Sequence, residues 1–399
     1  MTVCIRIEDY VYDAVKLAKL HPGGEIFVLQ CSNTDGTAIF NSSHRRRFPH
    51  DKYKDFRVDP AVVPASLERT NVDYANYFEL CQRVSPLIPR GGWAPWTYFV
   101  KAALLLGAAV FLDCYMTFVQ RTYTLSAIAG IIFGFIGLNV QHDANHGAVS
   151  RHGWVNRLLG LSQDYIGGNG LGWMVSHNVV HHVHCNDCHR DHDLDLGAIR
   201  LKTSTPWQAF HRIQHFYFLL LELAFSPVHI SYNIGLCISQ LRQENNVLSP
   251  YWRTHRYLMG ILVARFGLGL FMAPSMTTFY QLVTMYMIGG FYLSFFFLLS
   301  HNFENVAKDT IDSSKGDFVT NQAITSSNVG GSWLAQMNGG LNFQIEHHLF
   351  PRVHHSNYAT IAPVVRQFCK EKKIAYVHFP TVWDNFLSTA SHLKLLGKF

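Results

Sequence analysis

The chain has 399 residues, 48% hydrophobic and only 15% charged, against roughly 25% charge in ordinary soluble domains, which excludes a freely soluble protein and points to a membrane. The net charge of +6 is mild and forms no basic stripe, so nucleic-acid binding is set aside. The 23 histidines are the other anomaly, and they are clustered.

The N-terminus, "MTVCIRIEDY", lacks the charged start and apolar core of a secretory leader. A cytosolic N-terminus is therefore expected, with the eight cysteines as reduced thiols. Residues 1 to about 75 are polar and mixed, and predict a small soluble domain. Within it lie "HPGG" (21–24), "NTDGTAIF" (33–40) and then His44. Two histidines, the first in a Pro-Gly-Gly turn, suit paired axial ligation of one haem. Such a bis-imidazole haem has no open position and passes single electrons. The Pro- and Gly-bearing stretch "SPLIPRGGWAPW" falls within 76–96 and predicts a linker.

Beyond it, four apolar segments approach the roughly 20 residues that a bilayer requires: 98–119, 124–140, 257–274 and 279–300. Gly130, Gly134 and Gly137 mark the second as a close-packing helix. Two hairpins would return both termini, the middle segment 141–256 and the tail 301–399 to one side. Basic runs such as Arg45-Arg46-Arg47 make that side cytoplasmic. "FYFLLLELAF" (216–225) is expected along the interface, because Glu222, Pro227 and His229 interrupt the apolar run. Asp113, inside the first span, is expected to snorkel or to pair with another helix.

The histidines gather at or beyond the predicted membrane ends, all on one side. "QHDANH" (141–146), "HNVVHH" (177–182), His301 and "QIEHH" (344–348) are the four clusters. On an α-helix His142 and His146 share a face, as do Gln344, His347 and His348. Neutral imidazole suits iron, zinc and copper, and eight histidines exceed what one ion uses, so two metal ions are expected. Zinc has no redox chemistry; a membrane enzyme that binds dioxygen needs iron or copper. Cys185-x-x-Cys188 lacks a second such pair and is not read as a zinc site. A transporter would carry relay histidines mid-span, and an electron carrier would need His21 and His44 alone. His211 and His215 also have helical spacing and are left unassigned, as structural residues or as supports of a ligand.

With these residues in view, residues 10–44 resemble a cytochrome b5 domain, "VYDAVKLAKLHPGG" entering the haem loop and His44 closing it. Residues 90–399 resemble a membrane fatty acid desaturase, with "HDANH", "HNVVHH" and "QIEHH" as its three boxes. The fused cytochrome and the Gln that opens the third box are similar to front-end desaturases, closest to the algal and diatom delta-5 type. Other regiochemistry (delta-4, delta-6, delta-8), sphingolipid desaturation and hydroxylation on the same scaffold stay open.

The resemblance implies a mainly α fold: four transmembrane helices with a cytosolic histidine-rich cap, and a small α+β cytochrome b5-like domain. The domains would be 1–75, a linker at 76–96, and 97–399. It implies haem b on His21 and His44. It implies a di-iron centre, two Fe ions, on His142, His146, His177, His181, His182, His301, His347 and His348. Gln344 would be a weaker and harder ligand, and Asp143 and Glu346 would orient ligating imidazoles. The implied partners are a polyunsaturated fatty acyl chain on CoA or a glycerolipid, O2, NADH-cytochrome b5 reductase and membrane lipid, at the endoplasmic reticulum. Hydrogen would be removed from two adjacent methylenes, leaving a cis double bond and water. The cytochrome segment starts later than a full cytochrome b5, so a loosened haem cradle is expected.

Overall fold

The computed structural model describes residues 3–59, 67, 69–242 and 259–398. The chain opens with an antiparallel pair, Cys4–Ile7 against Tyr10–Asp13. Asp13 then accepts hydrogen bonds from the amides of Val15 and Lys16. This N-cap satisfies orphan donors and starts the Ala14–Lys19 helix without a loop. The Thr37–His44 helix ends at Arg45, which takes left-handed backbone angles. Ile5, Tyr12, Leu17 and Phe48 close a small core here, joined by Val179 from the second histidine box.

Residues 76–96, expected as a linker, begin inside a helix. In Ala75–Val84 the apolar residues Tyr77, Leu80, Cys81 and Val84 recur at helical spacing and form one buried face. That face shares a core with Phe318, Ile345, Leu349 and Phe368, the core that carries the third box. Just upstream, Asn71–Asp73 pairs in parallel with Lys315–Asp317. A third small sheet pairs Ser327–Val329 with Val377–Phe379.

Among the described residues three helices are long and apolar enough to cross a membrane: Trp96–Phe118, Tyr123–Asn145 and Met276–His301. The second overruns its expected end at 140, because a π-helical turn at Gly137–Gln141 carries it into His142–Asn145. The expected fourth span, 257–274, starts outside the described residues. Its described part is the 13-residue helix Met259–Phe271, about 20 Å long against a hydrocarbon core of about 30 Å. Among the described residues three full spans are observed, and the fourth expected span is described only in this part.

The segment expected along the interface continues well past its apolar run. It belongs to a 29-residue helix, Gln214–Arg242, that packs lengthwise on Met276–His301. A Cβ at Gly290 would stand 2.7 Å from the Ser226 amide nitrogen, so the two helices meet backbone to backbone. Glu222 faces inward, lining an internal cavity with Ser294, which explains the polar interruption that the sequence shows. The close-packing role expected of the second span is observed: a Cβ on Gly130 would stand 2.5 Å from the Met285 carbonyl. Asp113 is helix-paired, bound to Arg265 at 2.7 Å and to the Tyr165 hydroxyl.

Candidate metal centre and haem cradle

The three boxes and His301 come from four stretches of chain and converge on one buried volume. His142 and His146 leave the π-turn that ends the second span; His177, His181 and His182 sit on and after a second π-helical segment, Met174–His181. His301 ends the last span, and His347 and His348 lie on the short helix Gln344–Leu349. All eight imidazoles are buried. They form two groups whose possible ligand atoms lie within 4.8 Å of one another: His142, His146, His177 and His347 in one, His181, His301 and His348 in the other. His182 stands between the groups, its ring 4.6 Å from that of His347 and 4.3 Å from that of His348.

Four of these eight rings are aimed by their far nitrogen. Nδ1 of His181 meets Asp191 at 3.1 Å, Nδ1 of His347 meets the Tyr358 hydroxyl at 3.0 Å, and Nδ1 of His348 meets Gln322 Oε1 at 2.9 Å. His301 donates from Nδ1 to the Thr325 carbonyl at 3.0 Å. In His181, His347 and His348 this leaves Nε2 buried with no hydrogen-bond partner; both nitrogens of His142 and Nε2 of His146 are equally orphaned. Buried polar atoms normally find partners, and each one left unpaired costs about 1–3 kcal/mol. So many orphaned nitrogens in one volume fit two imidazole-rich metal sites.

Electrostatics agrees. Burial, reinforced by neighbouring imidazoles, holds His182, His347 and His348 well below their usual range, so each keeps a free lone pair at neutral pH. On His181 burial opposes charge, but the charge and hydrogen bond of Asp191, together with Asp193, outweigh it and lift the imidazole to about 9. A cation at Nε2 would take the place of that proton.

Gln344 is buried in the same volume. Its amide nitrogen lies 2.8 Å from Nε2 of His301, and its Oε1 is unpartnered. Asp143 and Glu346 do not orient box histidines. Asp143 binds Nδ1 of His355 at 2.5 Å, and Glu346 accepts from Asn328 and Tyr376. Both carboxylates alternate with ligands in sequence, but their side chains turn to the other side of the helix. The residues that do orient the rings, Asp191, Tyr358, Gln322 and Thr325, lie outside the boxes and carried no signal of spacing. Cys185 reaches 3.4 Å from Nδ1 of His301, the side already committed to Thr325. His211 is structural: its Nδ1 accepts from the Gln208 amide and its Nε2 lies 3.2 Å from the Gly197 carbonyl.

A second site lies in the N-terminal segment. The rings of His21 and His44 have centroids 5.9 Å apart, close to the roughly 6 Å of two imidazoles on opposite sides of one ion at about 2 Å each. Nδ1 of His21 lies 2.9 Å from the Gly24 carbonyl and Nδ1 of His44 lies 3.0 Å from the Phe40 carbonyl, which turns both Nε2 atoms inward. Burial lowers both, His44 to about 3, so both are neutral donors. The expected loosening is not evident in this cradle. The cavity around them also reaches His146 and His182 of the metal cluster.

Fold and sites together define a membrane metalloprotein with a haem cradle set against a two-metal histidine cluster. The fatty acid desaturase family matches residues 117–380, and the cytochrome b5-like heme/steroid binding domain matches residues 2–62. The chain is 41% identical to an acyl-lipid (7-3)-desaturase of Rebecca salina, over 98% of this chain and 90% of that relative. A protein of the same description from Diacronema lutheri is also 41% identical, covering 98% and 89%. An acyl-lipid (8-3)-desaturase of Physcomitrium patens is 28% identical, covering 97% and 86%. The chain belongs to the fatty acid desaturase family. It is an oxidoreductase, a front-end desaturase with an N-terminal cytochrome b5-like domain, and its cofactors are a di-iron centre and haem.

Proposed function

We propose that this protein inserts a cis double bond into a polyunsaturated acyl chain of a glycerolipid, three carbons to the carboxyl side of an existing bond. One iron would be held by His142, His146, His177 and His347, the other by His181, His301 and His348. His182 would stand between them, and the Gln344 amide would stand beside the second. His21 and His44 would hold haem b. When bound, these groups supply single-electron delivery and the oxygen-dependent removal of two hydrogens from adjacent methylenes.

The chain's own residues do the positioning. Asp191, Tyr358, Gln322 and Thr325 fix the rings. The acyl chain is assigned to the cavity that starts at His177, His181 and His301 and runs past Trp173 and Phe297 to Tyr286. From His301 to Tyr286 the same helix runs for 15 residues, about 22 Å, length enough for a long chain whose apolar wall excludes water. Alignment of the methylenes in this slot sets which bond reacts, since small misplacements are costly.

The observation that carries this reading is the set of orphaned Nε2 atoms pointing into one buried volume. The names of the relatives at 41% identity favour an existing bond at carbon 7 and an acyl-lipid carrier. The expected delta-5 action agrees instead with the (8-3) name of the relative at 28%. Residues 1–75 as haem domain and 97–399 as desaturase domain, cytosolic histidines, the endoplasmic reticulum and NADH-cytochrome b5 reductase as electron donor complete the proposal. The test is expression in a host lacking these activities, fed in turn with polyunsaturated acids whose bond nearest the carboxyl is at carbon 7 or at carbon 8. A new bond at carbon 4 in glycerolipids is expected. A bond at carbon 5 alone would assign the delta-5 action, and a hydroxylated product would overturn desaturation.

A further inference from the structure

Arg352 stands four residues beyond His348, yet it lines the haem cavity of the N-terminal segment together with His21, His44 and Phe40. It is wedged between the two parts of the chain. Its Nε donates to the Gly147 carbonyl at 3.2 Å, next to His146. Its guanidinium lies 5.5 Å from the Trp93 ring centre, and a Cβ at Gly23 would stand 3.1 Å from its Nη2, so the glycine of "HPGG" leaves it room.

Among the described residues Arg352 has no counter-ion: it has no carboxylate within ion-pairing distance, and the Gly147 carbonyl is its one hydrogen-bond acceptor. Burial, then repulsion from Arg45, pushes even this guanidinium down to about 10. A half-buried charge is normally paired, and Arg in particular matches carboxylates through two parallel N–H bonds. The other cations on the cavity wall, Arg46 and Lys52, are exposed and solvated.

We propose that Arg352 is the counter-ion of a haem propionate, so that a residue of the desaturase portion holds the haem carried by the cytochrome portion. The haem then ties the two portions together beside a direct link, the Asn178 amide donating to Gln30 at 3.2 Å and to the Asn145 carbonyl at 3.1 Å. The inference rests on the seating of haem between His21 and His44. It adds that haem binding and domain docking are one equilibrium, and that the positive charge favours the reduced haem.

The test uses the full-length protein, produced haem-depleted and titrated with haemin and with haemin dimethyl ester, whose propionates carry no charge. Wild type should bind haemin about tenfold more tightly than the ester, as expected for one charge-assisted hydrogen-bonded pair. R352Q should bind both equally and show a lower haem midpoint potential, while R352K should keep part of the discrimination. R46Q, on the exposed wall, should behave as wild type. The bis-imidazole spectrum and the iron content of R352Q should be unchanged, which separates lost pairing from misfolding. Equal discrimination in R352Q and wild type, or an unshifted midpoint, would overturn the proposal. A wild-type protein with no bis-imidazole band would overturn the haem seating itself, and the Arg352 assignment with it.

Discussion

His21 and His44 are each aimed by a backbone carbonyl three or four residues away. His181, His347 and His348 are aimed by side chains 10, 11 and 26 residues away. The haem cradle is thus written into one local segment and its backbone, whereas the metal centre depends on the docking of helices, loops and strands from most of the chain. A local device should fail alone. A dispersed one should fail from many directions, including from positions that touch no metal.

The largest test removes a ring from the dispersed centre. His181→Ala or His347→Ala should abolish desaturation, by roughly a hundredfold or more, since even residues that only support a ligand are worth 10- to 100-fold. Iron content should drop while the haem band of the same protein stays. Full activity in either variant would break the assignment.

Gln344→Val should also lose activity, with the protein still in the membrane, because the amide beside His301 has no polar replacement. Gln344→His offers a stronger ligand of different reach and should retain reduced activity. Product measured at matched expression decides both, and an active Val variant would show that the amide never reaches the metal.

Asp191→Asn probes remote aiming directly. The carboxylate touches the far nitrogen of His181 alone among the box histidines, yet its loss should cost roughly 10- to 100-fold in activity or iron affinity. His44→Ala attacks the local device: the bis-imidazole absorption should vanish and turnover in cells should fall severalfold, restored in part by a host's separate cytochrome b5. The non-haem iron content should be unaffected.

The smallest effect concerns Lys308, buried and donating to the Leu201 and Asn302 oxygens. Burial pulls its ammonium from 10.5 to about 7. A folded value below the unfolded one means that stability is full above pH 10.5 and declines as pH falls toward 7. Lys308→Met should therefore gain on wild type in thermal midpoint between pH 10 and pH 7. A constant gap would contradict this.

What the sequence made legible follows the same division. "HPGG" with His44 named the cradle because the partners are local. The boxes named the ligands because i, i+4 spacing survives folding: the rings of His142 and His146 lie 4.7 Å apart. Asp143 and Glu346 were misread as orienting groups because adjacency in sequence says nothing of which face a side chain takes. Asp191 and Gln322 were invisible because their partners are fixed only by tertiary docking. Glu222 reads as an interruption of an apolar run, whereas burial against a cavity supplies its reason. The fourth span is met only by its described part, the helix Met259–Phe271.

The wide winding of Met174–His181 sets a counting rule. Closing each turn with i→i+5 bonds, it packs one residue more per stretch than an ordinary helix would, and it brings His177 beside His182, five positions on, with Nε2 atoms 3.2 Å apart. Delete one residue between them and the segment is free to relax into the commoner α winding. That shorter helix would be the better helix, but each residue of register is worth about 100° of rotation, enough to swing an imidazole out of the cluster. Here a transplant between relatives has to match length before it matches letters.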